Sequence, residues 1–418
     1  MFQPTPKDAI YYKRASTVFR VAEFAAIFGF LLFFITCIGL WRDTITLDNL
    51  RYLMSYVDLS GKDAAPTDAA ITFNTPSDGA VYAMSPSSSG SDVVTVTGSR
   101  VTAWHFSGSR LYDEPFAATT PRVTASRKNL LAYDVGGRNL AVFGSVARLC
   151  SMTLEQPVRA ATIADSGCFA VITNERTYRS GVIVYGNEYY KPKEENELFR
   201  YMSADATVLS AALNASATRL VTVSVTEKDG LFDASLTLFD TSLAGTDAIR
   251  HSLSLGGALP LKVGYAKADD VIWVLTDEAF VTYDSDTLEE RGRVSYRVSD
   301  ATLYRAFDDC FVLVSRTAFS GSTMHAAVYA YDGTLLLEAP SSERVVDVCF
   351  ADRTLYLLAV DELTVYDFRP ETPEKVCETP LSTRYVNVFA DEYGRYILVG
   401  RKGAVRGSVK ELSGKGGR

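Results

Sequence analysis

The sequence predicts an all-β protein: a β-propeller of eight four-stranded blades, with seven blades as the alternative, preceded by one transmembrane helix and a short amphipathic helix. Three observations support this fold class. A short apolar strand recurs about every 43 residues, a period typical of propeller blades. Each copy is followed by a strand that commonly ends in an aromatic residue and an aspartate. Beyond position 60 there is almost none of the periodicity of about 3.6 residues that a helical solenoid requires.

The recurring strand is apolar at almost every position and rich in β-branched and aromatic residues. A half-exposed strand alternates apolar and polar residues, whereas a strand that is buried on both faces does not. We therefore expect each copy to lie inside a sheet that is covered on both sides. The eight copies are Asp92–Thr97, Asn129–Asp134, Cys168–Thr173, Arg219–Val223, Asp270–Thr276, Cys310–Ser315, Thr354–Ala359 and Arg395–Gly400.

Turn residues and two further strands complete the repeat unit. Small or polar residues that tolerate tight hairpins precede each copy, for example at 164–167 and 391–394. The strand after the copy is represented by Leu236–Asp240, Phe280–Asp284 and Leu363–Asp367, and a more polar fourth strand follows in most units. One such blade cannot cover its own faces, so the blades are expected to stack around an axis.

The chain divides into five predicted segments that differ in charge, hydropathy and pattern. They are a basic cytoplasmic segment (1–20), a transmembrane helix (21–41), a short helix with a linker (42–69), the β-propeller (70–412) and a disordered tail (413–418).

The predicted membrane span contains Phe24–Leu40, which is 17 residues without a charge. Apolar neighbours extend it to about 20 residues, the length that crosses a bilayer. Residues 1–20 carry a net charge of +3, so the N-terminus is expected in the cytoplasm and the propeller outside. A cleaved signal peptide and a lipid-modified Cys37 fit less well, because the small residues that each requires are missing.

Two short elements lie between the span and the first full blade. Leu47–Leu59 has the pattern of an amphipathic helix, which would serve as a stalk, as a self-association seam or as a helix lying on the membrane. The last repeat unit, Tyr385–Val409, supplies only three strands. The early strand Ile71–Asn74 can complete that last blade and close the ring with the two ends of the domain.

The sequence contains no recognisable motif for catalysis, cofactor binding or metal binding. The three histidines occupy no equivalent repeat positions, and the six cysteines match no zinc pattern and are interpreted as buried thiols. The acid pairs at 269–270 and 308–309 fall in hairpin turns, where solvated carboxylates are expected. We therefore predict no catalytic residue, no cofactor and no metal. The net charge is −8, and −11 remains outside the basic segment, which argues against nucleic acid as a partner.

The loops between the second and third strands vary most, and three of them are long: Asn174–Gly181, Val225–Ala234 and Arg316–Met324. Variable loops on a rigid scaffold commonly carry binding residues, and exposed aromatic residues with arginine are typical of protein-binding hot spots. We therefore predict a binding rim, with ordinary solvated loops as the alternative. The candidate residues are Tyr178, Arg179, Lys228, Phe232, Arg316 and Phe319.

The apolar span, the helix and linker to about 69, and the pattern AVITNERTYRSGVIVY at 170–185 resemble one known family. It comprises uncharacterised single-span membrane proteins of clostridial-type Gram-positive bacteria, in which a short basic N-terminus and one helix precede a propeller. The resemblance implies this architecture and assigns no reaction, so it supplies no catalytic residues. The repeats also resemble WD40 or quinoprotein-type blades, although the Trp-Asp and Gly-His signatures of WD40 repeats are missing.

Together these features favour a membrane-anchored extracytoplasmic module that binds or scaffolds proteins at the cell envelope. The expected partners are the membrane, through residues 21–41, and another envelope protein. The alternative is an enzyme that acts on an envelope glycan, with its site at the mouth of the propeller channel.

Overall fold

In the computed structural model the chain forms two compact units, Met1–Met54 and Ser55–Arg418. The predicted amphipathic helix at 47–59, the linker to 69 and the tail at 413–418 lie outside the described residues. The residues that the structure describes are 18–22, 24–33, 36, 71–72, 81–84, 93–104, 110–126, 129–145, 147–228, 230–297, 300–316, 324–341, 344–390, 394–400 and 403–409.

The described part of the first unit is helical at 18–22, 24–33 and 36. All of its large apolar side chains, from Val18 to Phe33, are more than half exposed. Within the ranges given above, no helix is both long and apolar enough to cross a membrane. Residue 23, residues 34–35 and residues 37–41 of the predicted span are outside those ranges.

The second unit consists of eight four-stranded antiparallel sheets, the blades of a propeller. The chain first forms a short strand, β1 (Ile71–Thr72), and then the blades in sequence order. Blade 1 contains β2 (Val81–Met84), β3 (Val93–Val96), β4 (Arg100–Trp104) and β5 (Arg110–Pro115). Blade 2 contains β6 (Pro121–Ala125), β7 (Leu130–Asp134), β8 (Asn139–Phe143) and β9 (Arg148–Thr153). Blade 3 contains β10 (Val158–Ile163), β11 (Phe169–Thr173), β12 (Ser180–Tyr185) and β13 (Glu197–Ser203).

The longest strands belong to the fourth blade. Blade 4 contains β14 (Thr207–Leu213), β15 (Arg219–Lys228), β16 (Leu231–Asp240) and β17 (Ile249–Gly256), with a 3₁₀ helix at Gly245–Ala248. Blade 5 contains β18 (Pro260–Tyr265), β19 (Val271–Thr276), β20 (Ala279–Asp284) and β21 (Glu290–Ser295). Blade 6 contains β22 (Ala301–Ala306), β23 (Cys310–Arg316), β24 (Met324–Ala330) and β25 (Leu335–Ser341). Blade 7 contains β26 (Val345–Ala351), β27 (Thr354–Ala359), β28 (Glu362–Asp367) and β29 (Glu374–Pro380).

Blade 8 joins the two ends of the domain. It contains β30 (Tyr385–Ala390), β31 (Arg395–Gly400) and β32 (Gly403–Ser408), and β1 is its fourth strand. Ile71 lies opposite Ala404, and Thr72 lies opposite Gly403. The prediction that the early strand completes the last blade is confirmed.

The second strand of each blade is the one that the sequence repeat identifies. Every residue of β7, β11, β19 and β27 is buried, as expected for strands covered on both faces. The predicted bounds Thr354–Ala359 and Arg395–Gly400 coincide with β27 and β31.

A separate hydrophobic cluster lies between each pair of neighbouring blades, and all eight interfaces have one. Between blades 5 and 6, for example, the rings of Phe280 and Phe311 stack with their centroids 4.1 Å apart. Val93 of blade 1 packs with Ile397 and Val399 of blade 8, so the ring is closed by side chains as well as by β1. The propeller therefore has eight blades, and the seven-bladed alternative is wrong.

The aromatic residue that recurs near the end of the third strand directly follows a β-bulge. In seven blades the pairing with the fourth strand shifts register directly before an aromatic residue, which bends the strand where the chain turns. These residues are Trp104, Phe143, Tyr185, Phe239, Tyr283, Tyr329 and Tyr366.

The aspartate that follows this aromatic residue ends the strand, because its side chain accepts a hydrogen bond from a backbone N–H of the next turn. Asp240 Oδ1 accepts the backbone N–H of Ser242 at 3.0 Å, and Asp284 Oδ1 accepts that of Asp286 at 2.9 Å. Hydrogen bonds from the Ser242 hydroxyl and from Arg250 lower the pKa of Asp240 to about 2. Backbone N–H groups and Arg291 also lower the pKa of Asp284. The ionised carboxylates therefore stabilise these strand ends.

The antiparallel order defines two faces of the ring. Because neighbouring strands run in opposite directions, the loops between second and third strands share one face with the linkers between blades. We call this the first face. The loops between first and second strands, and between third and fourth strands, lie on the opposite side, the second face. Strand β1 runs antiparallel to β32, so the chain enters blade 8 from the second face.

Candidate functional site

The structure places the predicted rim residues on the first face, although it does not bring all of them together. Blades 3 and 4 are neighbours, whereas blade 6 is two blades further along the ring. Phe319 lies outside the described residues. Tyr178 and Arg179 precede β12 in blade 3, Lys228 and Phe232 lie at the tip of the β15–β16 hairpin in blade 4, and Arg316 ends β23 in blade 6.

The long loop predicted at Val225–Ala234 is instead a β-hairpin, so that prediction was wrong. Val225 pairs with Ala234, and the ladder continues to Lys228 opposite Leu231. Gly230 has a φ of +75°, the left-handed conformation that a tight two-residue turn requires. The β15–β16 ladder has ten pairs, whereas the corresponding ladder in blade 5 has five. Both hairpins turn over two residues and β15 is four residues longer than β19, so the hairpin projects about 13 Å further along the strand direction than its neighbour.

The end of this hairpin carries two large apolar side chains that are exposed, Leu231 and Phe232, and we call this pair the blade 4 tip. Leu231 is 74% exposed and Phe232 is 72% exposed. Phe232 continues the face of the strand on which Leu236 is buried against blade 5. Exposed apolar area of this size costs free energy in water, and on a rigid element it is typical of a contact surface.

The loop of blade 3 presents the second part of the rim. Tyr178 is 44% exposed, and Arg179 is also exposed. The backbone N–H of Arg179 donates to Ser203 O at 2.9 Å, which fixes the end of the loop to the fourth strand. Within the described ranges, neither side chain has a hydrogen bond or an ion pair. A tyrosine and an arginine on a fixed backbone are thus available for a partner.

The first strands of the blades line the central channel. Most consecutive first strands lie against one another, which makes them the inner wall of the ring. Their net charge is opposite in sign to that of the whole chain, because the described first strands carry four basic residues and one acidic residue. The charged residues are Arg122, Arg159, Lys262, Arg305 and Asp347. A chain with net charge −8 therefore has a cationic channel wall.

Both carboxylate oxygens of Asp347, the single acid on the described first strands, have partners. Arg305 Nη2 lies 2.8 Å from Asp347 Oδ1, and only 3% of the Asp347 side chain is exposed. The other carboxylate oxygen accepts the backbone N–H of Val388 at 3.0 Å and the amide of Asn387 at 3.2 Å. Burial raises the pKa of Asp347, while Arg305 and these hydrogen bonds oppose the rise.

A glycosidase site at this position requires two carboxyl groups about 5–9.5 Å apart. The described first strands supply only Asp347, and its oxygens already bind neighbouring groups. The described first-strand residues therefore do not supply the pair of carboxyl groups that a glycan-acting enzyme requires. Among the described residues there is also no group of three or more potential metal ligands and no disulfide.

One acid of the second face, Asp269, is not simply solvated as the sequence predicted. Asp269 Oδ2 accepts the backbone N–H of Ala215 from the neighbouring blade 4 at 2.9 Å. Ser166 of blade 3 in turn donates its N–H to Ala215 O at 3.0 Å. Burial raises the pKa of Asp269. These contacts link the turns of three consecutive blades, which is a structural role for the carboxylate.

Residues 76–405 match a protein family described as a family of unknown function (DUF5711). The chain belongs to the DUF5711 family. The match spans the eight blades from before β2 into β32, and it leaves out β1. No curated protein matches the chain.

Solved structures show the same fold at low sequence identity. The computationally designed Ika8 protein is 13% identical with a TM-score of 0.56, covering 82% of this chain and 100% of that chain. The C-terminal WD40 domain of Sif2 is 10% identical with a TM-score of 0.56, covering 82% of this chain and 99% of that chain. At such identities the likeness shows the propeller fold alone.

Proposed function

We propose that this DUF5711 protein is a membrane-anchored binding module, and that its first face captures another protein of the cell envelope. The observation that carries the proposal is the blade 4 tip, where Leu231 and Phe232 are 74% and 72% exposed at the end of a rigid hairpin. Tyr178 and Arg179 lie on the adjacent blade of the same face. Large apolar and aromatic anchors beside an arginine are the residues that dominate protein-binding energetics.

Two observations support anchoring through residues 21–41. The sequence there is apolar and is preceded by a segment of net charge +3. The large apolar side chains from 18 to 33 are all more than half exposed, and an apolar helix with such exposure is stabilised by a lipid environment. The positive segment favours a cytoplasmic N-terminus and an extracytoplasmic propeller.

Strand β1 enters the ring from the second face. The start of β1 is therefore on the face opposite the proposed rim.

The binding proposal is tested by cross-linking in native membranes, followed by capture of the full-length protein. Tyr178→Ala with Arg179→Ala, and separately Phe232→Ala, are expected to abolish recovery of the partner with no change in the thermal unfolding midpoint. Tyr190→Ala is the matched control, because Tyr190 is a 53% exposed aromatic residue on the second face. Equal recovery from all variants would contradict the proposed rim.

The orientation is tested separately by treating intact cells with protease. Digestion of the propeller is expected, whereas a propeller that is protected until the cells are lysed would disprove the extracytoplasmic placement.

A further inference from the structure

The two exposed residues of the blade 4 tip point to opposite sides of their hairpin. Residues that pair across an antiparallel ladder share one side, and the side alternates at each step along a strand. Leu236 is buried between blades 4 and 5, and Phe232 lies four residues before it on the same strand, so Phe232 faces blade 5. Leu231 therefore faces blade 3. Glu227 is exposed and pairs directly with Phe232, so it also faces blade 5.

The hairpin forms a step above blade 5. The β15–β16 ladder continues beyond the point where the β19–β20 ladder ends. The side of the hairpin that carries Phe232 and Glu227 is therefore a wall beside the lower first face of blade 5. A partner that binds in this corner contacts two surfaces at once.

The linker between blades 4 and 5 crosses the base of this wall. It leaves the outermost strand of blade 4 at Gly256, which lies opposite Ala234, and it enters the innermost strand of blade 5 at Pro260. Three residues separate these positions, so the linker takes the direct route over the interface of the two blades. Leu259 ends the linker, Leu261 lies in β18, and both are more than a third exposed. The base of the wall is therefore apolar.

Carboxylates border this apolar surface. Asp277 and Glu278 form the turn between β19 and β20. Asp277 Oδ1 accepts the backbone N–H of Leu259 at 2.8 Å, which fixes the linker to the turn, and Glu278 is exposed. The ion pairs that the structure describes in blades 4 and 5 involve other acids, so neither these two carboxylates nor that of Glu227 is bound to a base. We call this surface the ledge, and it consists of Glu227, Phe232, Leu259, Leu261, Asp277 and Glu278.

We propose that the ledge binds a segment of the partner protein in which apolar side chains are flanked by lysine or arginine. The apolar side chains of that segment cover the three apolar residues of the ledge and remove their exposed area from water. Its basic side chains face the three carboxylates, which favours the encounter and excludes acidic segments. An apolar centre with a polar rim is the usual anatomy of a specific interface. The inference rests on the proposed function, because it defines the chemistry of the segment that the first face captures.

Photo-cross-linking of the full-length protein in native membranes tests the contact. The photo-reactive residue benzoylphenylalanine replaces Leu259, and irradiation is expected to link it to a peptide of another protein that contains apolar and basic residues. The same replacement at Leu243, an exposed leucine on the second face of blade 4, is the control and is expected not to yield this peptide. No cross-link from position 259, or a cross-link to a peptide without basic residues, to lipid, to glycan or to a second copy of this chain, would overturn the proposal.

Charge variants separate this inference from the proposed function. Glu227→Lys combined with Glu278→Lys is expected to reduce recovery of the partner at least about tenfold, because like charges then face each other. The corresponding double Gln variant removes the charges with little change in shape and is expected to reduce recovery several-fold. Both side chains are exposed, so the thermal unfolding midpoint is expected to stay unchanged. Glu289→Lys, at an exposed turn of the second face, is the matched control and leaves recovery unchanged.

The two possible failures give different results. Full recovery with both double variants, together with loss of recovery in Phe232→Ala, would refute the basic segment and leave the proposed function intact. Equal recovery from all variants, Phe232→Ala included, would refute the proposed function and this inference with it.

Discussion

Asp347 of blade 7 is held by Arg305 of blade 6 at 2.8 Å, and Asp347 is buried while 37% of the arginine side chain reaches water. The same carboxylate accepts the backbone N–H of Val388 in blade 8. One side chain thus connects three consecutive blades along the inner wall. Its removal tests how far these polar links, rather than the hydrophobic clusters alone, hold the ring together.

Asp347→Ala is expected to lower the free energy of unfolding by about 2–3 kcal/mol, since the buried N–H of Val388 loses its acceptor and Arg305 loses its partner. Chemical denaturation of the full-length protein measures this change. Glu289→Ala, an exposed acid in a turn, is the control and should alter stability by less than about 0.5 kcal/mol. Equal midpoints for the two variants would show that the inner-wall link contributes nothing.

Gly264 is predicted to tolerate no side chain. A Cβ at this position would lie 2.2 Å from Cζ2 of Trp273, whose ring is packed between blades 5 and 6. Gly264→Ala is therefore expected to destabilise the protein by about 1–3 kcal/mol through overpacking. Gly257→Ala is the matched control, because no atom lies within 4 Å of its added Cβ. A thermal unfolding midpoint for Gly264→Ala as high as that of the control would contradict the observed ring position.

Asp240 and Asp284, the aspartates at the strand ends, are expected to make the stability of the folded state decrease in acid. The folded state lowers the pKa of Asp240 to about 2 and also lowers that of Asp284, so the native state binds fewer protons than the unfolded chain. Their stabilisation is complete above the ordinary carboxyl pKa of about 4 and is lost as the pH falls towards 2. Asp269 and Asp347, whose pKa values are raised, act in the opposite direction.

Denaturant midpoints measured between pH 5 and pH 2 check this prediction. Asp240→Asn keeps an acceptor oxygen but removes the charge, so it is expected to flatten the decline relative to the unmodified protein. Asp205→Asn, at an exposed position in the linker between blades 3 and 4, should leave the profile unchanged. An identical decline in all three proteins would count against the role of the strand-end carboxylates.

Removal of residues 1–72 is expected to lower the unfolding midpoint and to promote self-association. The deletion takes away β1 and leaves Gly403 and Ala404 of β32 without their backbone partners, which lengthens the sheet edge that can pair with other chains. Removal of residues 1–54 deletes the first unit but keeps β1, and it serves as the control. Calorimetry and light scattering compare the two proteins. If both behave alike, β1 does not hold the ring closed.

The sequence predicted the blades well because their signal is local. Strands such as Thr354–Ala359 are buried on both faces, so their apolar runs identify them and their bounds directly. The aspartates that end third strands, such as Asp240 and Asp284, were visible as a recurring pair with an aromatic residue. The closing strand was predictable because the last unit lacked its fourth member.

The candidate sites were less accessible to sequence reasoning. The sequence predicts a loop at Val225–Ala234, because its residues form strands only through their pairing on either side of Gly230. The role of Asp269 depends on Ala215 in another blade, and a turn sequence does not reveal such a contact. A count of charges over the first strands alone would have indicated the cationic wall.

The pairing of Ile71 with Ala404 also constrains how the protein is made. During translation the outermost strand of blade 8 leaves the ribosome before any blade exists, whereas its partner appears among the last residues of the domain. Blades 1 to 7 can assemble in order as they emerge, since each packs on the one before. Blade 8 can be completed only after β32 has emerged, so the ring stays open while the seven other blades are synthesised.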